Sequence, residues 1–238
     1  MKPRLHLLAA AALATASAAS QGATLQLNNW TYGNGNAVNV VTTPSFHGQA
    51  GGFSGTLSGA GHPGFDGSIE TYCVELTQTF NLGSAYNNYN LVTAGSYFSA
   101  AKVDTLGKLL SYANPIVAAA NNNVDDNYST ALQLAIWNTV YDNDSTVSSG
   151  SFKDTSGFAA QANAFLSGAA NFASNLDLWV LESKTGTPRG SIGHQDQLLW
   201  RPKLDQSNDV PEPASLALAL AAVGALGWSS RRRKSAAR

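Results

Sequence analysis

The stretch Ser129 to Tyr141, STALQLAIWNTVY, decides the fold class because it is the clearest helix in a chain with strand-like flanks. At about 100° per residue, Leu132, Ile136 and Val140 share one apolar face. Gln133 falls beside that face, so its side-chain amide is predicted to be buried. A buried amide without partners costs on the order of 1–3 kcal/mol. We therefore expect Gln133 to be hydrogen-bonded or used in chemistry.

Two further helices and several strands surround this helix in the sequence. An amphipathic segment carrying Val103, Leu106 and Leu110 is predicted to end at Asn114-Pro115, and an alanine-rich helix runs from Phe158 to Phe172. Strands are predicted at residues 24–27, 37–41, 69–80, 176–181 and 198–200, with a glycine-rich loop at 47–64. The pattern predicts an α+β fold, a single domain of antiparallel strands framing a helical segment of about three helices.

The two ends of the chain are predicted to lie outside this domain. Lys2 and Arg4 precede an apolar stretch and then small residues, which is typical of a secretory signal peptide. The expected order is a signal peptide at 1–20, an exported domain at 24–200, a linker at 201–209 and a C-terminal segment at 210–238. The secretion translocon and signal peptidase are therefore expected partners.

The C-terminal segment has three physically different parts in a fixed order. Val210-Pro211-Glu212-Pro213 comes first, an uncharged run from Ala214 to Ser230 follows, and a basic cluster comes last, formed by Arg231, Arg232, Arg233 and Lys234. A helix of about 17 residues is roughly 25 Å long, just enough to span a thin bilayer. Because basic residues beside a span stay in the cytoplasm, the preceding domain is expected outside.

These three parts resemble the PEP-CTERM sorting signal of Gram-negative bacteria. The resemblance implies recognition by exosortase, a membrane protease and transpeptidase that removes the tail near Pro211-Glu212-Pro213. The protein would then be anchored transiently in the inner membrane through its C-terminal helix and delivered to the cell surface or extracellular matrix.

The charge balance of the remaining segment excludes one class of partner. Residues 21–213 contain 15 acidic and seven basic residues, a net charge of −8. A negative segment without a basic patch does not attract a phosphate backbone. We therefore expect no nucleic-acid partner, and we predict no cofactor and no metal.

Cys73 is the single cysteine of the chain. Exported proteins usually carry cysteines in pairs, and a lone thiol cannot form an internal disulfide. A thiol held against a buried glutamine amide can instead attack the amide carbon and expel ammonia, which leaves an internal thioester. On strand alternation, Cys73 shares a face with Thr71 and Glu75.

The segments Tyr72-Cys73-Val74-Glu75 and Leu132-Gln133-Leu134-Ala135-Ile136-Trp137 resemble the cysteine and glutamine motifs of thioester domains in bacterial surface adhesins. The resemblance implies a cross-link between Cys73 and Gln133. The stored acyl group would then be captured by an amine or hydroxyl on a target surface, with no turnover. The chain is accordingly not predicted to be an enzyme.

Other interpretations remain open from the sequence. The same tail suits a non-covalent structural or carbohydrate-associated protein of the exopolysaccharide matrix, and a hydrolytic enzyme using Cys73 with His194 is a third reading. A metal site is also compatible with His47, His62 and Asp66 in and just after the glycine-rich loop. Calcium could take oxygens from the pairs Asp125-Asp126 and Asp142 with Asp144.

Overall fold

The computed structural model describes residues 22–120, 125–183 and 193–203. The predicted signal peptide and sorting tail lie outside these residues. The strands are β1 Ala23–Trp30, β2 Asn36–Val41, β3 Phe46–Ala50, β4 Phe53–Ser58, β5 Gly67–Cys73, β6 Ala85–Thr93, β7 Lys153–Asp154, β8 Leu176–Ser183 and β9 Gln197–Pro202. The helices are α1 Ala94–Tyr97, α2 Ala100–Ala119, α3 Asp125–Tyr141 and α4 Ala159–Ala169. No helix among the described residues is long and apolar enough to cross a membrane.

The strands form a closed barrel and a small second sheet. The barrel order is β1-β4-β5-β9-β8-β6, and the second sheet has the order β3-β2-β7. The paired strands for which a register is defined run antiparallel. The α+β class predicted from the sequence is confirmed, with the helices lying in the chain between β6 and β8.

Strand β5 positions the cysteine. It pairs with β4 from Gly67 to Thr71, and with β9 at Tyr72 and Cys73, where Cys73 lies opposite Gln197. Alternate residues Ile69, Thr71 and Cys73 are buried on one face. The cysteine therefore lies at the end of β5, directed to the same side as Thr71.

Helix α3 is more deeply buried than its sequence suggested. Every residue from Ser129 to Thr139 is buried, so apolar and polar faces alike are covered. Helices α2 and α4 pack against α3, which also contacts β2, β3 and β5. A helix covered on all sides lies inside a fold. This placement brings α3 against the end of β5 that carries Cys73.

Three local predictions are wrong. The strand predicted at 69–80 ends at Cys73. The predicted loop at 47–64 contains strands β3 and β4, because glycines within it permit close strand approach rather than disorder. Helix α2 runs through Pro115 to Ala119 instead of ending before the proline. A proline in a helix removes one backbone hydrogen bond, and here the buried side chains Ala113 and Val117 hold both sides of it in the core.

Gly55 shows why glycine occupies the middle of β4, and it gives a test of the barrel packing. A Cβ at this position would lie 2.0 Å from the carbonyl oxygen of Gln26 in β1. We expect Gly55→Ala to lower the free energy of unfolding by about 1–3 kcal/mol, as overpacking does, measured by urea unfolding of the exported protein. Gly95→Ala is the control, because a Cβ at Gly95 meets open space; equal stability of the two variants would contradict the assigned contact.

Candidate functional site

The thiol of Cys73 lies among glutamine side chains at the end of the barrel. The residue is 2% exposed. Its Sγ donates a hydrogen bond to Oε1 of Gln195 at 2.9 Å. The same sulfur lies 3.8 Å from Oε1 and 3.5 Å from Nε2 of Gln197. The distances from the sulfur to Oε1 and to Nε2 of Gln197 are nearly equal. The sulfur therefore lies beside the Gln197 amide group, where the carbonyl carbon is, rather than beyond one end of it.

The Gln197 amide is held in place by two other groups, the Thr71 hydroxyl and the Gln195 backbone carbonyl. Oγ1 of Thr71 lies 3.3 Å from Oε1 of Gln197 and 2.8 Å from the carbonyl oxygen of Leu198, so one hydroxyl proton serves two acceptors. Nε2 of Gln197 donates to the carbonyl oxygen of Gln195 at 3.1 Å. A buried amide with its oxygen and nitrogen both engaged is fixed in orientation against the sulfur.

Gln195 joins the thiol to the segment that follows β5. Its Oε1 accepts from the sulfur, and its Nε2 donates to the carbonyl oxygen of Glu75 at 2.7 Å. The hydroxyl of Tyr89 donates to the backbone carbonyl of Gln195 at 3.0 Å. The thiol is thus the centre of a buried polar network in a barrel that is otherwise apolar.

The surroundings keep the sulfur protonated. Burial raises the pKa of the Cys73 thiol well above its ordinary value, the negative charge of Glu75 raises it further, and the hydrogen bond from Gln197 opposes the shift. A thiol is a weak nucleophile until its proton is removed. Any reaction of this sulfur therefore needs a proton acceptor in its immediate neighbourhood.

Gln133 contacts Cys73, but through the backbone. Its Oε1 accepts from the Cys73 N–H at 2.9 Å, and its Nε2 donates to the Cys73 carbonyl at 2.8 Å. Because β4 pairs with β5 only as far as Thr71, the Gln133 amide occupies the next pairing position and acts as a substitute peptide group. The buried, hydrogen-bonded state expected for Gln133 is confirmed. Its cross-link to Cys73 stays a prediction.

Gln195 and Gln197 were not predicted from the sequence as site residues. The predicted closing strand began at Leu198, one residue after the glutamine that pairs with Cys73. The available signal was alternation, since Gln195 and Gln197 are two positions apart, with one residue between them, and precede an apolar run. Two amides on one side of a strand predict a polar cluster, although they do not reveal its partner.

Of the two histidines in the predicted glycine-rich loop, His62 is engaged in packing, whereas His47 is exposed on β3. The His62 ring centroid lies 4.2 Å from that of Trp179 and 5.3 Å from that of Phe65, and Asp66 accepts from the Ala60 N–H at 2.9 Å. Within residues 22–120, 125–183 and 193–203, no group of three or more histidine, cysteine, aspartate or glutamate side chains is arranged to hold a metal ion.

The remaining sequence candidates have structural partners. The His194 ring packs against Tyr86 with centroids 3.7 Å apart. Asp142 accepts from the Ser151 N–H at 2.6 Å, and Asp144 accepts from the Asn138 side chain at 2.9 Å. These contacts indicate a loop-closing role for the two aspartates.

A cleft of about 470 Å³ opens beside the residues that follow Cys73. Its lining combines aromatic, charged and hydroxyl side chains: Pro44, Val74, Glu75, Thr77, Tyr97, Phe98, Ser99, Lys102, Val140 and Tyr141. The Tyr141 hydroxyl accepts from the Leu76 N–H at 2.9 Å. Burial raises the pKa of Tyr141 to about 12, with the charge of Glu75 adding to the shift. Val74 and Glu75, the two residues that follow Cys73 in the chain, belong to this lining, whereas Cys73 itself does not.

Comparison with known proteins identifies the tail. Residues 209–234 match the family model of the PEP-CTERM protein-sorting motif. No curated protein and no solved structure matches the chain. The motif supports an exported, exosortase-processed surface protein that is transiently anchored in the membrane. The match is confined to the tail and begins after the last strand of the barrel.

Proposed function

We propose that the exported domain attaches covalently to a target through an internal thioester formed by the Cys73 sulfur. The observation that carries this proposal is the position of that sulfur beside the fixed amide of Gln197, inside a buried polar network. The geometry favours Gln197 as the acyl donor. Gln133 then serves as the clamp that holds the Cys73 backbone in register.

Formation of the bond follows from the contacts of the Gln197 amide. The sulfur attacks the amide carbon, the carbon–nitrogen bond breaks, and the nitrogen leaves as ammonia with the proton of the thiol. Negative charge develops on Oε1 during the attack, and the Thr71 hydroxyl 3.3 Å away can donate to it. The burial of Cys73 and Gln197 then excludes the water that would hydrolyse the product.

The two other glutamines are less suited to supply the acyl group. Gln195 meets the sulfur end-on through its oxygen at 2.9 Å, which is a hydrogen bond rather than an approach to carbon. The Gln133 amide bonds the backbone of Cys73 at both of its ends. Gln197 has the sulfur near both amide heteroatoms and lies directly opposite Cys73 in the sheet.

The product is a single-use attachment device. An amine or hydroxyl on the target takes the acyl group, which leaves an amide or ester on the protein and a free Cys73 thiol. Since the acyl group is consumed, the reaction does not turn over and needs no cofactor. Delivery by the exosortase pathway places the device where such targets occur, on the cell surface or in the matrix.

Intact-protein mass spectrometry of the processed protein tests the proposal. We expect the wild-type mass to be lower than the sequence mass by one ammonia, and this deficit to vanish in Cys73→Ala and in Gln197→Ala. Gln161→Ala, at a partly exposed position in α4, is the matched control and is expected to retain the deficit. A deficit lost in Gln133→Ala but kept in Gln197→Ala would assign the acyl group to Gln133, and a full wild-type mass would refute the thioester.

A non-covalent role with saccharides has one observation in its favour. A groove of about 540 Å³ on the barrel is lined mostly by small polar side chains together with Trp200. Its lining residues include Asn29, Ser54, Thr56 and Ser68, which lie on β1, β4 and β5 or the turns between them. Retention of Cys73→Ala on matrix polysaccharide at the wild-type level, with loss of retention in Trp200→Ala, would favour this second function.

A further inference from the structure

We propose that Glu75 is the general base of acyl transfer and that the cleft it lines admits a protonated primary amine as the acceptor. The proposal rests on the thioester proposed above and deepens it, since it assigns the acceptor chemistry and the group that activates the acceptor.

Glu75 lies at the junction of the cleft and the hydrogen-bond network of the thiol. The residue is 8% exposed, yet it lines the cleft beside the site. Its backbone carbonyl accepts from Nε2 of Gln195, whose Oε1 accepts from the Cys73 sulfur. One glutamine side chain therefore separates the Glu75 backbone from the reacting sulfur, and Glu75 belongs both to this network and to the lining of the cleft.

The charge of Glu75 acts on the groups around the site. The negative charge of Glu75 is felt by three groups around the site, since it contributes to the raised pKa of Cys73, Tyr89 and Tyr141. Thr77 donates to its Oε2 at 3.0 Å, which orients the carboxylate. A largely buried carboxylate beside a nucleophilic group in a cleft is an arrangement typical of reactive sites.

The other charged and titratable groups around the cleft define what can enter. Lys102 donates to the Val140 carbonyl, so its ammonium group is tied to the end of α3. The Tyr97 hydroxyl donates to Oδ2 of Asp196 at 2.6 Å. The aromatic rings of Tyr97, Phe98 and Tyr141 line the walls. A slender alkyl chain ending in a cation fits these walls and the carboxylate behind them.

The transfer step balances in protons and electrons. Glu75 takes one proton from the ammonium group, and the neutral nitrogen attacks the acyl carbon on Gln197. The carbon–sulfur bond breaks, and the Cys73 thiolate leaves with its electron pair and takes the second proton from the nitrogen. The products are an amide and a free thiol, and the proton on Glu75 passes to solvent.

The test compares two nucleophiles in the processed protein. Cadaverine is protonated at neutral pH and needs a base, whereas hydroxylamine is neutral and does not. We expect Glu75→Gln to keep the mass deficit of one ammonia, to capture cadaverine about 10²-fold more slowly, and to capture hydroxylamine at nearly the wild-type rate. Glu70→Gln, an exposed position earlier in β5, is expected to match the wild type with both probes.

The outcomes separate the two proposals. An intact mass deficit in Glu75→Gln together with unchanged cadaverine capture overturns the role of Glu75 and leaves the thioester standing. Equal slowing of both nucleophiles also overturns it, because it indicates a structural change rather than loss of a base. Full sequence mass in the wild type overturns both proposals. The mass deficit itself reports folding of the variant, since the bond forms only within the assembled site.

Discussion

Gln133→Leu is expected to lower the free energy of unfolding by about 2–5 kcal/mol. The substitution removes both hydrogen bonds to the Cys73 backbone and leaves a buried N–H and a buried carbonyl without those partners, each costing on the order of 1–3 kcal/mol. The apolar side chain recovers only part of this through burial. Urea unfolding of the exported protein, with the slope checked for a constant unfolded state, gives the difference.

The control for this prediction is a glutamine in a similar element with different surroundings. Gln161 lies partly exposed in α4, and Gln161→Leu is expected to change stability by no more than about 0.5 kcal/mol. If Gln133→Leu proved as stable as Gln161→Leu, the amide would not be completing the edge of β5. The clamp role of Gln133 would then be refuted.

A protein with a free Cys73 thiol is expected to lose stability in alkaline solution. The folded pKa of the thiol is raised by burial, while the unfolded value is about 8.5. Because the folded state favours the protonated form, the stabilisation is fully present below the unfolded pKa and is lost as pH rises above it. The expected slope is about 1.4 kcal/mol per pH unit for this one group.

This pH effect can be isolated with two variants. Gln197→Ala carries the free thiol, and the double variant Cys73→Ala with Gln197→Ala lacks it. Tyr72 and Tyr89 also have pKa values raised by burial, and both are present in the two variants, so the part of their contribution that is due to burial cancels in the difference. The free energies of unfolding of the two variants, measured by urea titration from neutral to alkaline pH, should converge or cross with the expected slope. A constant difference would mean that the thiol ionises as freely in the folded state as in the unfolded one.

The sequence predicted the helical part of the site well. Helical periodicity placed Gln133 on a buried face, and the cost of burying an amide predicted that it would be bonded. The lone exported thiol drew attention to Cys73. Both inferences depend on local rules, a period of 3.6 residues and the chemistry of one side chain, which a single sequence carries in full.

The rest of the site depends on long-range pairing, which a single sequence does not encode locally. Cys73 meets Gln197 because β5 and β9 are neighbours in a closed barrel, across 124 residues of chain. The strands β3 and β4 were missed because glycines that permit close strand contact resemble glycines of a loop. Gly55 is the clearest case, since the nearness of the Gln26 carbonyl oxygen explains why a residue without a side chain stands at this position in the strand.

The place of Gln197 in β9 has a mechanical consequence. β9 is the final strand of the barrel, and about 12 residues separate Gln197 from the Val-Pro-Glu-Pro motif at 210–213. An acceptor bonded to Gln197 would be connected to a C-terminal attachment point by that short covalent path alone. Tension between the cell and its target would then pass along the covalent chain from Gln197 to the C-terminal attachment point, without being carried by the hydrogen bonds of the barrel. Attachment would survive pulling forces that unfold the domain.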